Sequence, residues 1–282
     1  MEMYCDLHTH SYYSDGTYSP AELIEAAEKL GLGAVALTDH NTVAGLPEFL
    51  AAARGRSVEA VPGTEFSVDY GDTELHILGL YIRPEHFNAV TALLDEGKLR
   101  KEQSNIDLVA ALCRAGYVLD YGQIKGQTPG GQVNRAHIAA ALTEKGYTES
   151  VQDAFKKLLS PKRGFYNPPK RPDAFETIRF LRSIGAVTIL AHPFLNLKDP
   201  EDLRTFLKQA VICGLDGMET LYPLFDEEKA ALAARIAEEF GLKPSGGSDF
   251  HGKTKPDIAL GTGKGSLKVP LAYLDELKRI VE

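Results

Sequence analysis

Apolar residues along the chain recur with two periods, near two and near 3.6, and they alternate in a way that predicts strands and helices in turn. Met3–Leu7 reads as a short strand. Ser19-Pro20-Ala21-Glu22 then spells a helix start, with Ser19 as N-cap, Pro20 at the first helical position and Glu22 closing a capping box. Leu23, Ala26, Ala27 and Leu30 follow at helical spacing, and Gly31 and Gly33 end that helix. Ala34–Thr38 is strand-like, Leu46–Ala53 helical, and Val58–Val61 a strand ending near Glu65. Asp69-Tyr70-Gly71-Asp72 has the composition of a turn, and Leu75–Ile82 reads as a strand carrying His76. From residue 83 to about 170 the pattern is mainly helical, with helices expected over Val90–Ala115, Arg135–Lys145 and Val151–Leu159 and a loop at Gly126–Gly131. Alternation resumes with helix Asp173–Ser183, strand Ala186–Leu190, helix Pro200–Cys213 and strand Gly217–Leu221. Helix Asp226–Phe240, strand Pro244–Gly247 and helix Leu271–Val281 complete the chain.

This order predicts an α/β fold with six or seven parallel strands joined by helical crossovers. Residues 1–97 and 166–282 would form a barrel, and 98–165 an inserted helical cap. An open doubly wound sheet is the alternative, although no Gly-x-Gly-x-x-Gly follows the first strand to support its dinucleotide-binding version.

Chemistry-bearing residues gather at one kind of position. His8, His10, Asp15, His40, Glu65, His192, Asp249 and His251 lie at or just past the C-terminal ends of expected strands; His76 alone lies inside one. In (β/α) barrels that end carries the active site. Side chains two apart on a strand share a face, so His8 and His10 can converge on one ion; Asp249 and His251 are again two apart. Each has a plainer reading: His8 and His10 as surface residues, His40 as a helix cap, Glu65 as a loop acid, His76 as a satisfied core histidine. Nine such side chains, eight of them in register with strand ends, favour ligation, and nine are too many for one ion, so they suit two or three. Imidazole and carboxylate without thiolate suit Zn, Mn or Fe. Asp39 and Glu219 are expected to orient imidazoles from behind.

The chain has 282 residues, 44% hydrophobic and 25% charged, with a formal net charge of −8. That charge argues against a protein wrapped in nucleic acid, though not against a local basic pocket. Lys156, Lys157, Lys162, Arg163, Lys170 and Arg171 cluster around Gly164-Phe165-Tyr166; of these segments Arg163, Tyr166 and Arg171 are the candidates for binding a phosphate or stacking a base. Cys5, Cys113 and Cys213 are odd in number and far apart, as expected of reduced, buried thiols in a cytoplasmic protein. No apolar run reaches membrane-spanning length, no signal segment opens the chain, and nothing calls for an obligate protein partner.

Taken in order, Asp6-Leu7-His8-Thr9-His10, Ser14-Asp15-Gly16, Thr38-Asp39-His40, Gly63-Thr64-Glu65, His76, Ala191-His192-Pro193 and Ser248-Asp249-Phe250-His251 resemble the PHP (polymerase and histidinol phosphatase) family of metal-dependent phosphoesterases. The resemblance implies a distorted (β/α)7 barrel with a trinuclear centre at the strand ends. It also implies one metal on His8, His10, Glu65 and Asp249, a second on Glu65, His76 and His192, and a third on Asp15, His40 and His251. Within the family, the inserted helices and Asn134-Arg135-Ala136-His137 resemble the branch of nucleoside 3′,5′-bisphosphate phosphatases and short-RNA 5′ exonucleases, in which Arg135 and His137 would reach the substrate phosphate. Two departures bear on the substrate: Ala136 stands where that branch often has proline, and Phe194-Leu195-Asn196 where it often has a glycine and a basic residue.

The expectation is a phosphoesterase acting on a small phosphorylated substrate, a nucleotide or a short single-stranded oligonucleotide, by attack of a hydroxide bridging divalent ions (Mn, Fe or Zn). A histidinol-phosphate phosphatase and a non-catalytic metal-stabilised module are the rivals. An amidohydrolase barrel would want a carbamylated lysine, which nothing in the chain marks.

Overall fold

In the computed structural model, residues 3–128 and 133–281 are described. The strands are β1 (Tyr4–Asp6), β2 (Ala34–Leu37), β3 (Glu59–Tyr70), β4 (Thr73–Leu80), β5 (Val187–Leu190), β6 (Gly217–Leu221), β7 (Lys243–Gly246) and β8 (Val269–Pro270). The α-helices are α1 (Pro20–Lys29), α2 (Leu46–Ala52), α3 (Phe87–Arg114), α4 (Tyr121–Gln127), α5 (Arg135–Glu144), α6 (Val151–Ala154), α7 (Ala174–Ser183), α8 (Pro193–Asn196), α9 (Pro200–Cys213), α10 (Glu227–Glu239) and α11 (Leu271–Lys278).

Residues through Ala92 and from Pro172 onward form one unit, and Leu93–Arg171 a second. In the first, the strands follow the order β7-β6-β5-β4-β3-β2-β1-β8. β2 and β5 are buried along their whole length, as strands covered on both faces must be. Apolar side chains such as Leu7, Val61, Leu78 and Ile189 fill the interior. The end of edge strand β7 and the residues after it meet the chain just past β1. Leu7 N–H donates to Gly246 O at 3.2 Å, Asp249 N–H to His8 O at 2.9 Å, and His10 N–H to Phe250 O at 2.9 Å. A Cβ on Gly247 would come within 2.3 Å of the His8 Cβ, so only glycine lets the chain close there. The result is a nearly closed eight-stranded barrel of mixed α/β architecture.

Two strands depart from the expected parallel pattern. β8 runs antiparallel to β1. β4 runs antiparallel to both neighbours, joined to β3 by the Gly71-Asp72 turn, with Ser67 opposite His76. β3 is accordingly longer than the expected Val58–Val61: its pairing with β2 ends at Leu37↔Pro62, but the hairpin carries it on to Tyr70. This reversal explains why His76 alone lay inside a strand. Early in a reversed strand, it stands level with the C-terminal ends of the others.

α1 begins as its residues dictate, with the Ser19–Glu22 capping box formed in both directions. Its buried face is Leu23, Ile24 and Ala27, while Leu30, read as part of that stripe, is 56% exposed. Neither β8 nor α8 is legible in the pattern, the first being two residues long and the second a single turn after Pro193.

The second unit is helical and packs its own core of Leu108, Leu112, Ile138, Leu142 and Leu159. α4 runs on through Gly126 and Gln127, the first two residues of the expected loop: Asp120 caps it by accepting from Gln123 N–H at 2.8 Å, and buried Ile124 anchors it despite Gly122 and Gly126. Pro129–Gly131 of that expected loop lie outside the described residues.

Candidate metal centre

Six of the chain's eight histidines converge with three carboxylates at the C-terminal ends of the parallel strands. Glu65 is the hub. Its Oε1 lies 2.7 Å from His76 Nδ1 and 3.1 Å from His192 Nε2. Its Oε2 lies 3.0 Å from His40 Nδ1, 3.2 Å from His8 Nε2 and 3.3 Å from His10 Nε2. Asp249 Oδ1 is 3.3 Å from His10 Nε2 and 3.7 Å from His8 Nε2. Asp15 Oδ1 is 3.1 Å from His251 Nε2 and 3.9 Å from His10 Nδ1.

Possible donor atoms fall within 4.8 Å of one another in four groups: His10, Asp15, His40 and His251; His8, His10 and Asp249; His8, Glu65 and His192; and His40, Glu65 and His76. His10 belongs to two of these groups, with Nδ1 3.9 Å from Asp15 and Nε2 3.3 Å from Asp249. His8, His10, Glu65, His192, Asp249 and His251 are buried, His40 and His76 partly so, and the Asp15 side chain is 53% exposed. The site is therefore closed beneath His8 and His10 and open along Asp15.

Other side chains fix these donors. Glu219 Oε1 lies 2.9 Å from His8 Nδ1, and its Oε2 accepts the His192 backbone N–H at 2.6 Å. Nδ1 of His8 thus carries the proton and Nε2 turns its lone pair to the cluster. His251 Nδ1 donates to the Asp249 carbonyl at 2.8 Å, which likewise bares its Nε2. Asp39 touches no imidazole, contrary to expectation. Its carboxylate accepts from Ser11 N–H (2.7 Å), Ser11 Oγ (2.6 Å) and Ser14 Oγ (2.6 Å), pinning the loop that carries Asp15.

Three residues here escaped the sequence reading. Asp249 Oδ2 is held by Tyr222 OH at 2.8 Å and Lys255 Nζ at 2.7 Å, leaving Oδ1 to the histidines. Asp6 accepts from Ser248 N–H and Gly261 N–H, both at 2.8 Å, tying β1 to the Asp249 loop. Only Asp6, inside a quoted motif, left any trace in the sequence. Asp249 and His192 hold positive φ angles of 55° and 27°, a strain of about 1–3 kcal/mol each at positions where side-chain direction matters.

Charge follows geometry. Burial works against ionising Glu65, yet His40, His8 and His76 around it hold its carboxyl well below the usual range. Burial also opposes protonation of His76, but Glu65 raises it to about 10. Burial lowers His10 to about 3 against the pull of Asp249. For Tyr222, burial and then Asp249 push the phenol up, so it remains a donor.

The cluster fits divalent ions. His8 Nε2, both nitrogens of His10, His40 Nδ1 and Glu65 Oε2 are buried without a hydrogen-bond partner, an arrangement costly for a metal-free core and natural for ligand atoms. Nitrogen and oxygen donors in this mix suit Mn, Fe or Zn.

The PHP domain matches residues 6–166. The chain belongs to the PHP family. It is similar to a 5′-3′ exoribonuclease of Haemophilus influenzae, 33% identical over 87% of this chain and 89% of that one. A 3′,5′-nucleoside bisphosphate phosphatase of Chromobacterium violaceum is 30% identical over 87% of this chain and 86% of its own length. Among solved structures, a Bifidobacterium adolescentis protein described as a metal-dependent phosphoesterase superposes with a TM-score of 0.78 at 28% identity, covering 99% of this chain and 97% of that one. This PHP protein is a phosphoesterase, and its family and donor set make it metal-dependent.

The residues expected to bind substrate lie in the second unit. Asn134 caps α5, and His137 Nδ1 accepts the Asn134 N–H at 3.1 Å, which leaves Nε2–H as a donor. The Arg135 guanidinium sits 4.3 Å from the Tyr166 ring centroid and 5.6 Å from that of Phe155. Arg163 is exposed, with Nε donating to the Lys156 carbonyl at 3.2 Å, and Arg171 is half-buried.

Proposed function

We propose that this PHP phosphoesterase hydrolyses nucleotide phosphate esters, with a nucleoside 3′,5′-bisphosphate or a short 5′-phosphorylated oligonucleotide as substrate. The Glu65-centred cluster of six imidazoles and three carboxylates carries the hydrolytic part of this reading. The named activities of the two curated relatives support the nucleotide part.

His8, His10, Asp15, His40, Glu65, His76, His192, Asp249 and His251 would hold two or three divalent ions of Mn, Fe or Zn. When bound, such ions polarise a phosphoryl oxygen, neutralise its charge and supply a nucleophile near neutral pH. The protein's own contribution is orientation. Glu219 fixes the His8 tautomer, and Tyr222 with Lys255 holds Asp249 by one oxygen so that the other is always presented. Substrate approaches along the open edge at Asp15, the most exposed member of the set.

We assign substrate binding in Leu93–Arg171 to Arg135, His137, Arg163, Tyr166 and Arg171. The stack on Tyr166 presents the Arg135 fork rigidly, and a rigid fork suits two phosphate oxygens. His137 offers its Nε2–H as a second donor. No helix among the described residues is long and apolar enough to cross a membrane, and the three cysteines are unpaired; we place the protein in the cytoplasm.

A substrate panel with added Mn²⁺ tests this reading. It should contain a nucleoside 3′,5′-bisphosphate, a short 5′-phosphorylated RNA, histidinol phosphate and an aryl phosphate. One of the two nucleotides should give the highest kcat/KM; preference for histidinol phosphate would overturn the substrate assignment.

A further inference from the structure

The phosphate chemistry makes no use of Tyr12 and Tyr13, yet both side chains stand on the loop between His10 and Asp15. They are 52% and 39% exposed. Their rings stack face to face, with centroids 4.8 Å apart and planes 26° from parallel. Glu48 on α2 fixes the pair, its Oε2 accepting from Tyr12 OH at 3.1 Å and Tyr13 OH at 3.4 Å. Tyr13 rests close to Gly45, where an added Cβ would come within 2.9 Å of Tyr13 Cδ2. The order is thus Gly45, Tyr13, Tyr12, with the outer ring the more exposed.

The loop does not need these rings for its own conformation. Asp39 already holds it through Ser11 and Ser14, and Tyr12 N–H donates to Tyr18 O at 2.9 Å. Two exposed aromatic rings held in a stack, with their hydroxyls anchored, form a pre-ordered flat surface. Such surfaces suit another flat ring, since stacking is not charged the entropy of ordering the platform. Position adds to this. Each tyrosine is two residues from a residue of the metal cluster, Tyr12 from His10 and Tyr13 from Asp15, so their Cα atoms lie within about 8 Å of those residues' Cα atoms. Asp15 also marks the open edge of the site.

We propose that Tyr12 and Tyr13 form a base-stacking platform for a single-stranded oligonucleotide whose phosphate is at the metal centre. The assignment rests on the nucleotide reading above and sharpens it: a substrate longer than one nucleotide gains a contact that an isolated phosphate ester lacks. The platform reads no sequence, because every base presents a π-face.

The test compares kcat/KM for a 5′-phosphorylated RNA tetranucleotide with that for p-nitrophenyl phosphate, in Mn²⁺-loaded protein. In the double variant Tyr12→Ala, Tyr13→Ala the ratio should fall about tenfold. Tyr12→Phe, which keeps the ring, should retain most of it. A ratio within twofold of the parent in the double variant overturns the platform. A second readout is independent of turnover. The chain has no tryptophan, so Tyr12→Trp introduces a single reporter at the outer ring. A phosphorothioate-linked tetranucleotide should quench it, whereas inorganic phosphate should not. Absence of quenching, or equal quenching by phosphate, refutes stacking. If the parent protein prefers the aryl phosphate to every nucleotide, the nucleotide reading fails separately, and the quenching titration still decides the platform.

Discussion

Glu219→Gln is the substitution that most sharply separates orientation of the ligands from the ligands themselves. Glu219 is fully buried and does two things at once, facing His8 Nδ1 at 2.9 Å and accepting the His192 backbone N–H at 2.6 Å. Glutamine has nearly the same shape but only one accepting oxygen. If that oxygen keeps the His192 N–H, the amide NH₂ confronts His8 Nδ1 and drives the imidazole to the other tautomer. The proton then sits on Nε2, the nitrogen aimed at Glu65 and Asp249. If the amide flips, the His192 N–H is left unsatisfied, at about 1–3 kcal/mol. Partners behind metal ligands typically contribute 10–100-fold in affinity, or about 1.4–2.7 kcal/mol. Competition of Mn²⁺ between the protein and a fluorescent chelator should show a loss of that size in Glu219→Gln, with kcat falling in parallel. Thermal melting of metal-free protein provides the control for general damage. Parent-like Mn²⁺ affinity and turnover in the variant would refute the orienting role.

The remaining expectations concern the same cluster and one surface group. Tyr222→Phe deletes the 2.8 Å hydrogen bond to Asp249 Oδ2 and should weaken Mn²⁺ binding by about tenfold, measured by the same competition, with little change in the metal-free melt. In metal-free protein Glu65 holds His8, His40 and His76 above their ordinary range against burial; His76, at about 10, is protonated at neutral pH. Ligation requires neutral imidazole, so metal binding must release at least the His76 proton, measured by calorimetry in buffers of different ionisation enthalpy, and affinity must fall as the pH is lowered. By the same sign, the raised His76 value stabilises metal-free protein below pH 6.5, and that contribution is lost as pH rises through about 10; the melt should shift down accordingly. Cys113 is exposed, contrary to the expectation of three buried thiols, whereas Cys5 and Cys213 are buried, and burial followed by Asp6 pushes the Cys5 thiol up. Ellman's reagent should find one fast thiol in native protein and three in denaturant.

Much of this molecule was written in local pattern. The Ser19–Glu22 capping box, the strand-end placement of His8 and His10, and the helix limits of α9 all follow from neighbours in sequence. What escaped depends on partners far along the chain. Asp6 meets Ser248 across 242 positions to close the barrel, and no periodicity reports such a pairing. The reversal of β4 was half visible, as a turn at Gly71-Asp72 that can join only antiparallel strands and a histidine in mid-strand, but the run of β3 beyond Pro62 that the hairpin needs was not. Tyr222 and Lys255 were invisible because tyrosine and lysine are common; only the fold brings them to Asp249. Asp39 shows the converse: its place beside His40 suggested an imidazole partner, whereas its geometry makes it the anchor of the Ser11–Ser14 turn.

The central claim is that nine dispersed side chains act as one metal-loaded phosphoesterase centre. Metal content per chain, measured by elemental analysis after loading with Mn²⁺ and desalting, tests it most directly when read beside phosphate release from the same samples. The parent should carry two to three ions per chain. His192→Ala and Asp249→Ala should each lose metal and at least about a hundredfold in turnover while remaining folded. Full metal content and full activity in both variants would contradict the account.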